Sequence, residues 1–103
     1  MYIYNVTVNV QEQIHAEWLE WMKKEHIPEM LATKKFSKAL MTRVMVTEEM
    51  GGISYSIQFT TDSRRTLQKY YAENAADLRQ KSSIFEGQVV SFRTELEVVS
   101  EQS

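Results

Sequence analysis

The sequence has no cysteine, one proline and three glycines among 103 residues. The absence of cysteine excludes disulfides, thiolate metal sites, cysteine nucleophiles and the cysteine pair of a copper chaperone. No apolar run approaches the roughly 20 residues of a transmembrane helix. The first residues also lack the basic and apolar segments of a signal peptide. We therefore expect a cytoplasmic protein with no membrane partner.

Positive charge is also scarce, since 12 Lys and Arg residues stand against 14 Asp and Glu residues, for a formal net charge of −2 at pH 7. Phosphate backbones are normally bound by an excess of basic residues, so nucleic acid is not an expected partner. Hydrophobic residues make up 43% and charged residues 25% of the chain, as in soluble globular proteins. The length suits a single domain over residues 1–103.

Hydrophobic periodicity divides the chain into six elements. Alternating side chains predict strands over residues 2–10, 36–46, 53–60 and 90–98, and helical spacing predicts helices over 12–27 and, after the capping residues 61–63, up to about residue 80. Pro28 should end or kink the first helix, with a short second turn through Ala32. Polar and glycine residues at 48–52 predict a hairpin between the two middle strands.

The order strand, helix, strand, strand, helix, strand predicts an α+β domain of the ferredoxin-like βαββαβ type. Right-handed crossovers and antiparallel pairing give a four-stranded antiparallel sheet in the order 4-1-3-2, with two helices on one face. The more apolar side chains of each strand should lie under the helices, and these include Tyr4, Val6, Val8, Ile57, Phe59, Phe92 and Leu96.

The opposite face of the sheet should then be mostly polar. It is expected to carry Asn5, Thr7, Asn9, Arg43, Ser54, Ser56, Gln58, Arg93 and Glu95, mixed with Ile3, Met41 and Met45. One interpretation is a solvated open face, which antiparallel sheets often have. The other is a symmetric dimer in which two sheets pack face to face around a partly polar cavity. The residue pattern leaves both open.

The segment 18–31, with His26 and Pro28 at a helix end, resembles the His-x-Pro element of several dimeric α+β barrel families, including the EthD-like and stress-responsive barrel proteins. The whole chain, including residues 49–52, Tyr70-Tyr71 and residues 92–97, resembles a bacterial family of unknown function in that superfamily. The resemblance implies a homodimeric barrel and so favours the dimer interpretation. It implies no activity, because superfamily members differ widely in chemistry.

His26 is the sharpest candidate for chemistry, because an imidazole titrates near neutral pH and can act as acid or base. A histidine near a helix end also caps terminal carbonyls, and this structural role is the favoured interpretation. His15 and His26 would lie roughly 16 Å apart along a helix, too far to share a metal ion, so no metal site is predicted. The second helix has no histidine for a heme iron, and no cofactor is expected.

A ligand-binding set is predicted on the polar sheet face. Arg43, Arg93 and Glu95 are charged residues that a dimer would enclose, where they would form a salt bridge across the dimer or bind an anionic ligand. Asn5 and Gln58 complete the set.

Two functions stay open from the sequence. The first is a homodimeric protein that binds a small molecule between the two sheets. The second is a cofactor-independent barrel enzyme, similar to a monooxygenase or isomerase, in which Asn5 or Arg43 orients the substrate and His26 transfers a proton.

Overall fold

A computed structural model of the protein describes residues 1–46 and 51–103. Its strands are β1 (Tyr2–Val10), β2 (Lys38–Arg43), β3 (Ile53–Thr61) and β4 (Val89–Glu97). They form one antiparallel sheet in the order β2-β3-β1-β4. The predicted ferredoxin-like βαββαβ fold is confirmed, with the sheet order that was expected.

Helical segments connect the strands. Between β1 and β2 the chain forms a 3₁₀ turn (Glu12–Ile14), α1 (His15–Trp21), a π-helical segment (Met22–His26) and α2 (Ile27–Ala32). Between β3 and β4 it forms α3 (Arg64–Glu73), α4 (Ala75–Lys81) and a second 3₁₀ turn (Ser82–Phe85). Within the described part of the chain, no helix has the length and apolarity needed to cross a membrane.

The second helical region begins at the predicted cap and breaks in the middle. The Ser63 hydroxyl accepts a hydrogen bond from the backbone N–H of Thr66 at 3.1 Å. Asn74, with φ −128° and ψ −34°, separates α3 from α4, where one continuous helix was expected. Asparagine is among the weaker helix formers, which fits the interruption at this residue.

The core lies between the helices and one face of the sheet, and aromatic rings dominate it. The Tyr4 ring centroid is 5.4 Å from that of Tyr70, 6.1 Å from that of Phe36 and 6.3 Å from that of Phe59. All four side chains are buried. Aromatic contacts of this kind add roughly 0.5–1.5 kcal/mol per pair to the burial of their surface.

The register of β4 places its charged residues on the helix side of the sheet. Residues directly opposite each other in an antiparallel pair share a face. Arg93 is opposite Val6 and Glu95 is opposite Tyr4, and both β1 residues point toward the helices. The prediction that Arg93 and Glu95 lie on the open face is therefore wrong.

The apolar residues of β4 lie on the open face instead. Phe92 is opposite Thr7 and Leu96 is opposite Ile3, and their side chains are 68% and 36% exposed. The prediction that put Phe92 and Leu96 in the core is wrong. At an edge strand the helices cover little of the sheet, so polar residues are tolerated on the helix side.

The faces of β2 show the same correction. Met41 is opposite Ile57 and Arg43 is opposite Tyr55, so both lie on the helix side and not on the open face as predicted. Leu40 lies on the open face and is 56% exposed. Strand β2 is also shorter than predicted, ending at Arg43.

The predicted hairpin is confirmed by the antiparallel pairing of β2 with β3. Of its predicted turn, residues 48–50 lie outside the described residues. Gly51 and Gly52 have φ values of +79° and +82°, in the left-handed region that favours glycine.

Candidate functional site

The first helical region carries buried or half-buried residues at intervals of four. These are Ile14, Trp18, Met22, His26 and Met30. In a regular α-helix a step of four turns the chain by about 400°, so the five residues would spread over about 160°. The π-helical segment corrects this drift because its bonds run from residue i to i+5, as in the bond from Ile27 N–H to Met22 C=O. Trp18, Met22 and Met30 therefore all reach the core.

The same π-helical turn holds His26 against Trp21. Their ring centroids are 4.9 Å apart and their planes meet at 20°, whereas residues five apart in an α-helix point about 140° apart. Phe85 packs edge-on against Trp21 at 5.3 Å. Burial lowers the pKa of His26 to about 4, while the charge of Glu29 opposes this and that of Arg93 adds to it. The imidazole is therefore neutral at pH 7.

His26 lines a cavity of about 80 Å³ between the sheet and the helices. The sheet contributes the apolar side chains of Val6, Val8 and Ile57. The helices contribute Trp18, Trp21 and Met22. The lining, mostly apolar with a few polar groups, is that of a small-molecule site, but the volume is well below the roughly 300–1,000 Å³ of pockets for drug-sized ligands. The cavity therefore suits only a small ligand.

Three polar residues of the cavity lie where it meets a second depression. Arg79, Ser82 and Ser91 line both the cavity and an adjoining groove of about 270 Å³. The guanidinium of Arg79 donates to the hydroxyl of Tyr4 at 3.2 Å. Arg93, which also lines the cavity, donates to the Ser91 hydroxyl at 3.4 Å. Two positive charges thus stand at the cavity.

The structure separates the predicted site residues into two groups. His26 and Arg93 both line the cavity. Asn5 and Gln58 are opposite each other on the open face of the sheet, where Asn5 bonds to the hydroxyls of Thr7 at 3.1 Å and Ser56 at 2.8 Å. The first pair belongs to a cavity of one chain, and the second to the surface on the other side of the sheet.

The remaining two predicted residues lie on the helix side but away from the cavity wall. Arg43 ends β2, opposite Tyr55. Glu95 is near the rim of the aromatic cluster, where its charge, after burial, raises the pKa of Tyr71. Neither residue lines the cavity with His26 and Arg93.

Arg79, Ser82 and Ser91 were missed by the sequence analysis. Arg79 follows the buried Leu78 and is itself exposed, so the helical pattern marks it as a solvent-facing residue. Only the packing of α4 over β1 brings its guanidinium to Tyr4. The four-residue spacing that leads to His26 is the one sequence signal that points to this cavity.

His15 has a structural role at the start of α1. Its Nε2 atom is 2.6 Å from the Tyr55 hydroxyl, and the two rings stack with centroids 5.7 Å apart. Among residues 1–46 and 51–103, no three His, Asp or Glu side chains form a group that could hold a metal ion.

Comparisons with known proteins agree on the fold. The sequence model of a family described as "Domain of unknown function (DUF4286)" matches residues 1–99. A search of curated proteins finds no match.

Solved structures of similar fold include an EthD family protein from Bacillus halodurans, which is 16% identical with a TM-score of 0.71, covering 96% of this chain and 100% of that one. Two dimeric ferredoxin-like proteins from an uncultured marine organism are 11% and 17% identical, with TM-scores of 0.73 and 0.66. The matches cover 98% and 100% of this chain, and 97% and 99% of theirs. The chain therefore has the fold of the dimeric α+β barrel proteins.

Proposed function

The chain belongs to the DUF4286 family, and we propose that it is a homodimer in which each protomer binds a small molecule in its helix-side cavity. The observation that carries the proposal is the cavity of about 80 Å³ between sheet and helices, with His26 held in its wall by the π-helical turn. Segments of π-helix are rare and often occur at functional sites.

The neutral imidazole of His26 supports binding over proton transfer. A general base works best with a pKa near the working pH, whereas the pKa of His26 is lowered to about 4 by burial. A neutral ring still accepts or donates a hydrogen bond to a ligand. The second hypothesis, a cofactor-independent enzyme that uses His26 as acid or base, has less support for this reason.

Dimerisation through the open face of the sheet is supported by exposed apolar side chains. Phe92, Val90 and Leu40 lie on that face and are 68%, 60% and 56% exposed. Phe92 and Val90 are neighbours on β4, whereas Leu40 lies on β2 at the opposite edge of the sheet. Exposed apolar surface of this kind often marks an interface. The similarity to two dimeric ferredoxin-like proteins also supports a homodimer.

A screen of fragments whose apolar part is smaller than a phenyl ring, followed by ¹H–¹⁵N NMR, tests the binding function. The only two tryptophans of the chain are Trp18 and Trp21, and both line the cavity, so their indole N–H signals report on its occupancy. We expect a subset of fragments to shift both signals. Ser91→Phe, which fills the cavity from β4, should abolish these shifts.

Ser37→Phe is the matched control, because Ser37 is exposed and does not line the cavity. It should leave the fragment-induced shifts unchanged. The proposal fails if no fragment shifts both indole signals, or if the shifts persist in Ser91→Phe.

A further inference from the structure

Two arginine side chains face the cavity without an acidic partner. Among the described residues, neither Arg79 nor Arg93 forms an ion pair. Their hydrogen bonds go to neutral hydroxyls, those of Tyr4 and Ser91. A guanidinium has five donors in a fixed plane, which suits the two oxygens of a carboxylate. Donors therefore remain for an anionic group at the cavity.

Nearby acidic residues do not line the cavity. Glu95 lies two residues from Arg93 on the same face of β4, but among the described residues it forms no ion pair with either arginine and it does not line the cavity. Glu29, whose charge acts on His26, is paired with Lys81 at 2.8 Å. Glu86 lines the outer groove but not the cavity. The balance of charge at the cavity itself is positive.

The apolar end of the cavity limits the size of the ligand. Its volume is about 80 Å³, whereas a protein cavity that takes benzene measures roughly 150 Å³. The apolar part of a ligand must therefore be smaller than a phenyl ring. The wall of Val6, Val8 and Met22 has no polar side-chain group and suits a hydrocarbon chain.

We infer that the cavity binds a short-chain aliphatic monocarboxylate, with its hydrocarbon chain against Val6 and Val8 and its carboxylate on Arg79 and Arg93. The inference rests on the proposed function, because it names the chemical class of ligand for the same cavity. The neutral His26 ring adds a hydrogen-bonding group that does not repel either end of such a ligand.

Titration with butyrate and its neutral analogue butyramide tests the inference, with the indole N–H signals of Trp18 and Trp21 as the readout. We expect butyrate to bind at least about fivefold more tightly than butyramide, since hydrogen bonds to charged groups are the stronger ones. Arg79→Gln and Arg93→Gln should each weaken butyrate binding by at least about fivefold and leave butyramide binding unchanged.

Two further variants separate charge from structure. Arg79→Lys keeps the positive charge and should retain part of the butyrate affinity that Arg79→Gln loses. Arg65→Gln removes an exposed arginine of α3 that does not line the cavity, and should bind butyrate as the wild type does.

The outcomes distinguish this inference from the proposed function. Equal affinity for butyrate and butyramide, with the indole shifts present, would overturn the carboxylate inference and leave the binding function standing. Absence of binding by both compounds would also overturn the inference, while the fragment screen decides the binding function independently.

Discussion

At the scale of single residues, the state of His26 follows from its surroundings. The ring stacks on Trp21 and is half-buried, so the protonated form loses solvation that the neutral form hardly needs. Arg93 disfavours the protonated form further, and Glu29 opposes it only in part. His26 is thus a polar group kept uncharged beside the apolar side chains of the cavity wall.

This environment predicts a loss of stability in mild acid. The pKa of His26 is about 4 in the folded chain, against an ordinary value of 6.5 that the unfolded chain should have. The unfolded state then binds the proton more tightly than the folded state. The free energy of unfolding therefore has its full value above about pH 6.5 and falls as the pH drops toward 4. The difference between the folded and unfolded pKa values corresponds to about 3 kcal/mol of unfolding free energy at most.

Urea unfolding from pH 4 to 7.5, at constant protein concentration, measures the effect. His26→Gln should show a shallower dependence on pH than the wild type across this window, because glutamine does not titrate. Carboxylates such as Glu20 and Asp62, with lowered pKa values from their hydrogen bonds, contribute equally to both proteins. Parallel pH profiles for wild type and variant would show that His26 is not the cause.

His26 could be singled out from the sequence as a candidate, but the residues that surround it could not. Its place in the run of four-residue spacings marks a position that faces the core. Arg93 was predicted as a site residue on the wrong face, because its strand lies at the sheet edge. Arg79 gave no signal, since its contact with Tyr4 depends on the docking of α4, which is a long-range contact of the fold.

At the scale of elements, the π-helical segment decides which residues of the first helical region face the sheet. Trp18 and Met30 are twelve positions apart, which in a regular α-helix would turn them about 120° from each other. With one residue fewer between Trp18 and Met30, the angle between them around a regular α-helix would be about 20°. The segment therefore behaves as a one-residue insertion that α1 and α2 accommodate.

Deletion of one exposed residue from the segment tests this interpretation. Without Lys24, the turn before Pro28 can become α-helical, which keeps both Trp18 and Met30 in the core. Pro28 has no N–H to donate and stays in the first turn of α2. We expect the free energy of unfolding to fall by about 1 kcal/mol or less, a typical change for a surface position. The midpoint and slope of urea unfolding measure it.

Deletion of Lys69 is the matched control, because it removes an exposed lysine from a regular α-helix. Leu67 and Tyr70, on either side of it, are 0% and 2% exposed, and the deletion turns one about 100° from its place. The loss of a large buried side chain costs about 2–5 kcal/mol. If deletion of Lys24 costs as much as deletion of Lys69, the π-helical segment is not acting as an insertion.

Strand positions were predictable, whereas the faces of the edge strands were not. Alternation belongs to the extended backbone itself, and it located all four strands to within a few residues. The rule that the more apolar set lies under the helices holds for β1 and β3, which are central. It fails for β4, where Phe92 and Leu96 lie on the open face, because an edge strand has little helix above it.

At the scale of the whole molecule, the polar side chains of the open face have the hydrogen-bond partners that burial requires. Its central polar side chains already bond to one another, as Asn5 does to Thr7 and Ser56 and Asn9 to Ser54 at 3.2 Å. Buried polar groups are costly only when they lack partners. Two such faces can therefore pack together around exposed apolar residues at their margins, which is the homodimer that we propose.

The proposed homodimer makes a prediction about mass in solution. The wild type should sediment at micromolar concentration with twice the 12.1 kDa mass of one chain. Phe92→Glu should sediment as a monomer, because it would bury an unpaired charge in the interface.

Ile84→Glu is the control. Ile84 is 64% exposed, close to the 68% of Phe92, but it lies in the 3₁₀ turn before β4. This variant should therefore stay dimeric. A monomeric wild type, or a dimeric Phe92→Glu variant, would rule out the interface. Since the cavity lies on the helix side of the sheet, opposite the face proposed as the interface, the monomeric variant should keep its fragment-induced indole shifts. This separates assembly from binding.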